Sequence, residues 1–233
     1  MITIYTITYN ENIVLPHFIK WYRLRFPNCR IVVYDNESTD NTAQIAIDNN
    51  CEVVSYSTNN QLSDSTYLKI KNNVWKEAET DWVMVVDCDE FVEINQSYLI
   101  DIENIKKTII SAIGYNMCNI DELTELADIR HGVRAGQYDK SILFNKKFIQ
   151  EINYEAGCHT CNPKGVVNYG YGMVSLYHMH LINEHLLIDK YLRNASRMSE
   201  ENKRNKWGHH YLQSEEIIRA NYKHGLELAK LIR

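Results

Sequence analysis

The unbroken apolar run Trp82-Val83-Met84-Val85-Val86 stops abruptly at Asp87-Cys88-Asp89-Glu90 and resumes at Phe91. In an extended segment alternate side chains point the same way, so Asp87 and Asp89 can face one cation. Hard carboxylate oxygens suit Mg2+ or Mn2+, and such an ion can bridge the two phosphates of a nucleotide. A solvated acidic turn is the bland explanation of an isolated Asp-x-Asp, and alone it would be preferred. The preceding run reverses that preference. A strand without alternation is covered on both faces, and open α/β sheets bind their ligands at its carboxyl end. Two further polar segments leave strands in the same way. Tyr34-Asp35-Asn36-Glu37-Ser38-Thr39-Asp40 opens a helix at Thr42. Its Asp35 can accept a hydrogen bond from a base or ribose, while Ser38, Thr39 and Asp40 read better as helix caps. Tyr9-Asn10-Glu11 follows the first strand.

The elements that hold these loops are legible upstream of them. Residues 2–8 are β-branched and aromatic, a strand. Val14, Phe18, Trp21, Tyr22 and Arg25 recur at helical spacing and stop before Pro27. Residues 31–34 read as a strand, 42–50 as a helix, 52–56 as a strand, 65–78 as a helix and 82–86 as the buried strand. This is a parallel α/β half with right-handed connections, so the three loops converge on one crevice. Beyond it the pattern weakens. It predicts a helix over 100–110, strands near 112–117, 141–144 and 173–180, an aromatic loop at Tyr169-Gly170-Tyr171-Gly172, and a mainly helical tail over 183–233 broken near Lys206-Trp207-Gly208.

The order Thr6-Ile7-Thr8-Tyr9-Asn10-Glu11, then Asp35-Asn36-Glu37-Ser38-Thr39-Asp40, then Asp87-Cys88-Asp89 resembles family 2-type GT-A glycosyltransferases. The longer Asp87-Cys88-Asp89-Glu90-Phe91 most resembles a family 92-like branch. The resemblance covers residues 1–92 and implies a single GT-A domain over 1–233. Residues 1–100 would form its nucleotide-sugar-binding half, 101–182 the half that completes the metal and acceptor site, and 183–233 a helical tail. It implies that Thr8, Tyr9, Glu11 and Asp35 line a nucleotide pocket and that Asp89 binds Mn2+ or Mg2+ directly. Asp87 would contact ribose, metal or a metal-bound water. The donor would be a nucleotide sugar, a UDP-sugar ahead of GDP- or dTDP-sugars, and the acceptor a glycan or other hydroxyl.

Downstream, Asp139-Lys140-Ser141-Ile142, Gly157-Cys158-His159 and His178-Met179-His180 resemble the same branch. A third metal ligand is expected from this half, and a neutral imidazole suits Mn2+. His159, on a glycine-flanked loop, is the first choice; His178 and His180 share one strand face and either can serve instead. Lys140 is placed to neutralise a diphosphate, a solvated strand-end lysine being the alternative. An inverting transfer needs a carboxylate base on the opposite face of the sugar, and Asp139, Glu155 and Glu90 are the candidates. Trp207, Tyr169 and Tyr171 offer faces for sugar rings, ordinary packing being the commoner fate of each. Gly208-His209-His210-Tyr211 reads as a surface helix start. Cys158-His159-Thr160-Cys161 has no second Cys pair to complete a zinc site, so its thiols are expected to be free.

Composition narrows the alternatives. The chain has 233 residues, 45% hydrophobic and 24% charged, with net charge −5. That balance argues against bulk nucleic-acid binding. No stretch approaches the roughly 18 apolar residues of a spanning helix, and Met1-Ile2-Thr3-Ile4-Tyr5 reads as a strand with no basic leader, so a cytoplasmic protein with six free thiols is expected. Two rivals stand beside the transferase. A sugar nucleotidyltransferase would show a Gly- and Lys/Arg-rich phosphate loop near its N-terminus, and Thr6–Glu11 has none. A non-catalytic carbohydrate-binding GT-A module would lose its acids, and these are kept. The tail is expected to close over the donor or to pair with a second subunit in a homo-oligomer.

Overall fold

The computed structural model describes residues 1–94, 98, 104, 106–172 and 174–233. The chain opens as β1 (Ile2–Thr8), α1 (Leu15–Arg25), β2 (Arg30–Asp35), α2 (Thr42–Asp48), β3 (Glu52–Ser55), α3 (Asp64–Asn73), β4 (Trp82–Val85) and β5 (Glu90–Ile94). Short strands follow: β6 (Ile109–Ser111), β7 (Ile113–Cys118), β8 (His131–Arg134), β9 (Ser141–Asn145), β10 (Ile149–Glu151), β11 (Lys164–Gly165) and β12 (Tyr169–Gly170). The long β13 (Val174–Leu181) leads into α4 (Glu184–Ser196), α5 (Glu200–Asn205), α6 (Glu215–Leu228) and β14 (Lys230–Leu231).

The central sheet runs β12-β6-β9-β4-β1-β2-β3, with β4, β1, β2 and β3 mutually parallel and β9 antiparallel to its neighbours. Every residue of β4 is buried, as expected of a strand covered on both faces. A second sheet, β14-β8-β7-β13-β5, begins where the acidic loop ends, with β5 antiparallel to β13.

The joint between the two sheets is fixed by α1. Its apolar stripe buries Leu15, Phe18, Ile19, Trp21 and Tyr22. Trp21 packs 5.4 Å from the Phe91 ring, and Phe18 lies 6.3 Å from it edge-on. Burying side chains of this size contributes about 1.5–3 kcal/mol each. Two polar tips are kept for β5: Trp21 Nε1 donates to Val92 O at 2.8 Å, and the Tyr22 hydroxyl donates to Glu90 O at 2.8 Å. The strand that carries the acids into the second sheet is thus held by side chains nearly 70 residues upstream.

The α/β architecture with a mostly parallel central sheet is the expected one. Several elements differ. The helix expected over 65–78 ends as α3 at Asn73 and tightens into a 3-10 turn at Val74–Glu77. Of the helix expected over 100–110, residues 100–103 and 105 lie outside the described residues; residues 106–108 are not helical, and Ile109 and Ile110 belong to β6, pairing with Phe144 and Leu143. The expected 112–117 and 173–180 strands are shifted to Ile113–Cys118 and Val174–Leu181. Tyr169 and Gly170, expected in a loop, pair with β6. Of the second sheet only β7 and β13 were expected; β5, β8 and β14 carry no such signal, being short strands of two to five residues. No helix is long and apolar enough to cross a membrane among the described residues.

Candidate active site

A cavity of about 440 Å3 opens at the carboxyl edge of β1 and β4, within the usual size of small-ligand sites. Its floor is the acidic loop. Val86 N–H donates to Tyr5 O at 3.1 Å, Glu90 N–H to Asp87 O at 2.9 Å, and Met179 N–H to Asp89 O at 2.7 Å. Glu90 Oε2 accepts the Asp87 N–H at 3.0 Å, while Oε1 is paired with Lys140. Glu90 is 1% exposed, so this third acid of the motif holds the loop in shape. The backbone therefore fixes where Asp87 and Asp89 project.

Both acids face lysines. Asp87 is paired with Lys71 of α3, and Lys140 Nζ stands 3.6 Å from its other oxygen. Burial raises the Asp87 carboxyl, but the two ammoniums outweigh it and hold the group at about 2. Asp89 Oδ2 meets Lys190 of α4 and lies 3.1 Å from His178 Nε2. Burial again opposes ionisation, and Lys190 with His178 overcomes it, holding Asp89 well below the usual carboxylate range. His178 is oriented from behind: Nδ1 lies 2.8 Å from Asn116 Oδ1. The contact holds the ring with Nε2 aimed at Asp89.

The remaining wall comes from α4 and the tail. Arg193 donates to Glu11 Oε1 at 3.1 Å and to Asn10 O at 3.0 Å. Burial, ahead of these cations, raises the Glu11 carboxyl. The Arg197 guanidinium lies 3.1 Å above the centre of the Tyr9 ring, and the Tyr9 hydroxyl donates to Asn60 at 2.9 Å. Arg193 Nε and Arg197 Nη2 are buried without partners among the described residues. Opposite, Lys206, Trp207, Gly208, His210 and Tyr211 complete the lining. The tail is tied to α3: Asp64 N–H donates to Asn202 Oδ1 and Asn202 Nδ2 to Asp64 Oδ1, both at 3.0 Å, and Leu62 bridges Met198.

Of the residues singled out from sequence, Thr8, Tyr9, Glu11, Asp87, Asp89, Glu90, Lys140 and His159 line this cavity. Asp35, Asp139, Glu155 and His180 do not. Asp35 is 4% exposed and accepts from Thr8, from Ser38 N–H and from the Ser38 hydroxyl, so it organises its own loop. Asp139 pairs with Arg134 and accepts the Gly114 N–H at 2.8 Å. Glu155 accepts from Thr160 at 2.6 Å. His180 stacks on His178 with ring centres 4.9 Å apart but borders a smaller cavity of about 150 Å3; burial, then His178 and Lys190, lower it to about 3. His159 is anchored by Nδ1, 2.7 Å from Gln137 O. Its loop needs Gly157: φ there is +76°, and a Cβ would lie 2.7 Å from His159 Cδ2. His210 is exposed, as expected, and also borders the cavity, where the turn at Lys206 and Gly208, both left-handed, folds it back.

Sequence reading passed over Lys71, Lys190, Arg193 and Arg197. The last three had a signal, since spacing of three and four residues puts them on one helix face.

No three of His, Cys, Asp and Glu converge on a metal position among the described residues. Two donors do. Asp89 Oδ2 and His178 Nε2 are 3.1 Å apart, and neighbouring ligands of an octahedral ion with bonds of about 2.1 Å are about 3 Å apart. The residues fit a divalent ion as a partial site, with the remaining positions left to non-protein ligands.

Residues 3–100 match the model of Glycosyl transferase family 2. The match covers the parallel half and the acidic loop. Protein RfbJ of Shigella flexneri is 28% identical over 120 residues, 50% of this chain and 85% of that protein. The crystal structure of S. aureus TarS 1-349 in complex with UDP superposes with a TM-score of 0.50 at 15% identity, covering 84% of this chain and 68% of that one. A looser overlay, TM-score 0.36 at 15% identity over 49% of this chain and 44% of the other, is with glucosyl-3-phosphoglycerate synthase from Mycobacterium tuberculosis in complex with Mn2+, UDP and glucosyl-3-phosphoglycerate. The fold is the GT-A fold, and the acids and lysines meet at the carboxyl edge of its parallel strands.

Proposed function

We propose that the chain is a metal-dependent glycosyltransferase of the family 92-like branch, moving a sugar from a nucleoside-diphosphate donor to a hydroxyl acceptor, with 1–233 acting as one unit. A UDP-sugar is favoured as donor, ahead of GDP- and dTDP-sugars, and a glycan as acceptor. The observation that carries the reading is the meeting of Asp87 and Asp89 with Lys71, Lys140 and Lys190 at the base of one cavity. Carboxylates there suit a cation, and ammoniums there suit phosphate. A Mg2+ or Mn2+ ion held by Asp89 and His178, with Asp87 beside them, would supply Lewis-acid stabilisation of the departing diphosphate.

The chain's own groups do the rest in this reading. Tyr9, roofed by Arg197, presents an aromatic edge to the base, and Lys71 and Lys140 neutralise the leaving oxygens. Trp207 and Tyr211 cover the sugar and exclude water. Inversion requires a base, and Asp139 and Glu155 are turned to other partners. Asp64 is the one cavity-lining carboxylate in no ion pair among the described residues. Burial raises its pKa, which suits a group that must take a proton. Asp64 is therefore assigned to the acceptor hydroxyl.

The test is thermal stability of the purified protein with UDP, GDP, dTDP, CMP and ATP, each with and without Mn2+. A ligand at about 100 times its Kd adds about 2.7 kcal/mol. Stabilisation by one nucleoside diphosphate, dependent on Mn2+ and lost in Asp89→Ala, is expected. A shift with ATP alone would point to the nucleotidyltransferase. Nucleotide binding without transfer from any donor would point to the non-catalytic module.

A further inference from the structure

Lys190 occupies an unusual position. Its ammonium sits on Asp89 Oδ2, the same oxygen that lies 3.1 Å from His178 Nε2. It is therefore lodged where the two convergent metal donors meet. Lys190 also borders both cavities, the larger of about 440 Å3 and the smaller of about 150 Å3 behind it, so its four-carbon stem has open space on either side.

The ion pairs around Asp89 are balanced among themselves. Glu11, Asp87, Asp89 and Glu90 are paired with Arg193, Lys71, Lys190 and Lys140, four against four. A bare divalent cation would add two positive charges to a buried neutral cluster, which is unfavourable. A nucleotide-sugar diphosphate carries about two negative charges, so cation and donor together leave the balance unchanged.

We propose that Lys190 is a built-in stand-in for the metal: it holds Asp89 in the ligand-free protein and moves to the diphosphate when donor and cation enter together. The metal then binds conditionally on the nucleotide, and the acids never face each other uncompensated. This rests on the nucleotide-sugar reading above, but Mn2+ binding alone tests the lysine separately.

The experiment is Mn2+ titration followed by electron paramagnetic resonance of the free ion, on wild type, Lys190→Met and Lys190→Arg, each with and without UDP. Wild type is expected to bind Mn2+ at least about tenfold more tightly with UDP than without. Lys190→Met, which keeps the stem and removes the charge, is expected to bind Mn2+ alone about tenfold more tightly than wild type and UDP more weakly, tenfold being about 1.4 kcal/mol. Lys190→Arg keeps the charge and should stay near wild type for Mn2+ alone. Should Lys190→Met melt early, Lys190→Gln replaces it in the same titration. Unchanged affinity for Mn2+ alone in the neutral variants would overturn the proposal, as would equal Mn2+ binding by wild type with and without UDP while UDP itself binds. If UDP binds none of the proteins, the transferase reading fails, and the comparison without nucleotide still decides whether Lys190 guards Asp89.

Discussion

The acidic floor of the cavity and its basic wall are built differently. Asp87 and Asp89 belong to one turn, whose backbone is bonded to β1 and β13 and whose shape is kept by Glu90. The cations come from scattered places: Lys71 from α3, Lys140 from the start of β9, and Lys190, Arg193 and Arg197 from α4 and its end. The acids are held by main-chain geometry and short side chains. The cations are held mainly by the charges they face. The anionic positions are thus set within one turn, and the cationic ones by the packing of several distant elements around it.

The contrast can be broken from the floor. Phe91→Ala, removing a ring with no exposure between Trp21 and Phe18, should cost about 3–5 kcal/mol, read by chemical denaturation. Asp89→Asn leaves the packing intact and should lower turnover about 100-fold or more, with folding unchanged by circular dichroism. Next comes Asp64→Asn. If Asp64 is the base, kcat falls strongly while UDP affinity stays within about threefold; a parallel loss of UDP binding would make it a donor contact instead. Tyr22→Phe removes the hydroxyl that holds Glu90 O and should cost about 1–2 kcal/mol. Smallest of all, Asp139→Asn should change stability by less than about 1 kcal/mol and leave turnover near wild type, because its partner Arg134 is solvent-exposed and neither lines the cavity. A large loss of turnover there would return Asp139 to the list of bases.

Legibility followed the same divide. The parallel strands and the floor could be read because each loop follows directly from its strand, so local pattern carries three-dimensional position. Asp35 shows the limit: loop, strand end and residue type all pointed to the crevice, yet Thr8 and Ser38 claim both its oxygens. The wall was harder. The spacing of Lys190, Arg193 and Arg197 marks a basic helix face, but only the packing of β13 and α4 shows that Lys190 meets Asp89. Loop context put His159 first and the shared strand face left His178 and His180 equal, and only Asn116, 62 residues away, selects the ring aimed at Asp89.

The ties between Asp64 and Asn202 join residues 138 positions apart. Closing so long a loop is entropically costly and slow compared with forming the parallel half, whose contacts are more local. The cavity is therefore among the last features to assemble. After dilution from denaturant, recovery of secondary structure should run ahead of recovery of ligand binding, and the lag between them measures the time the tail takes to find α3.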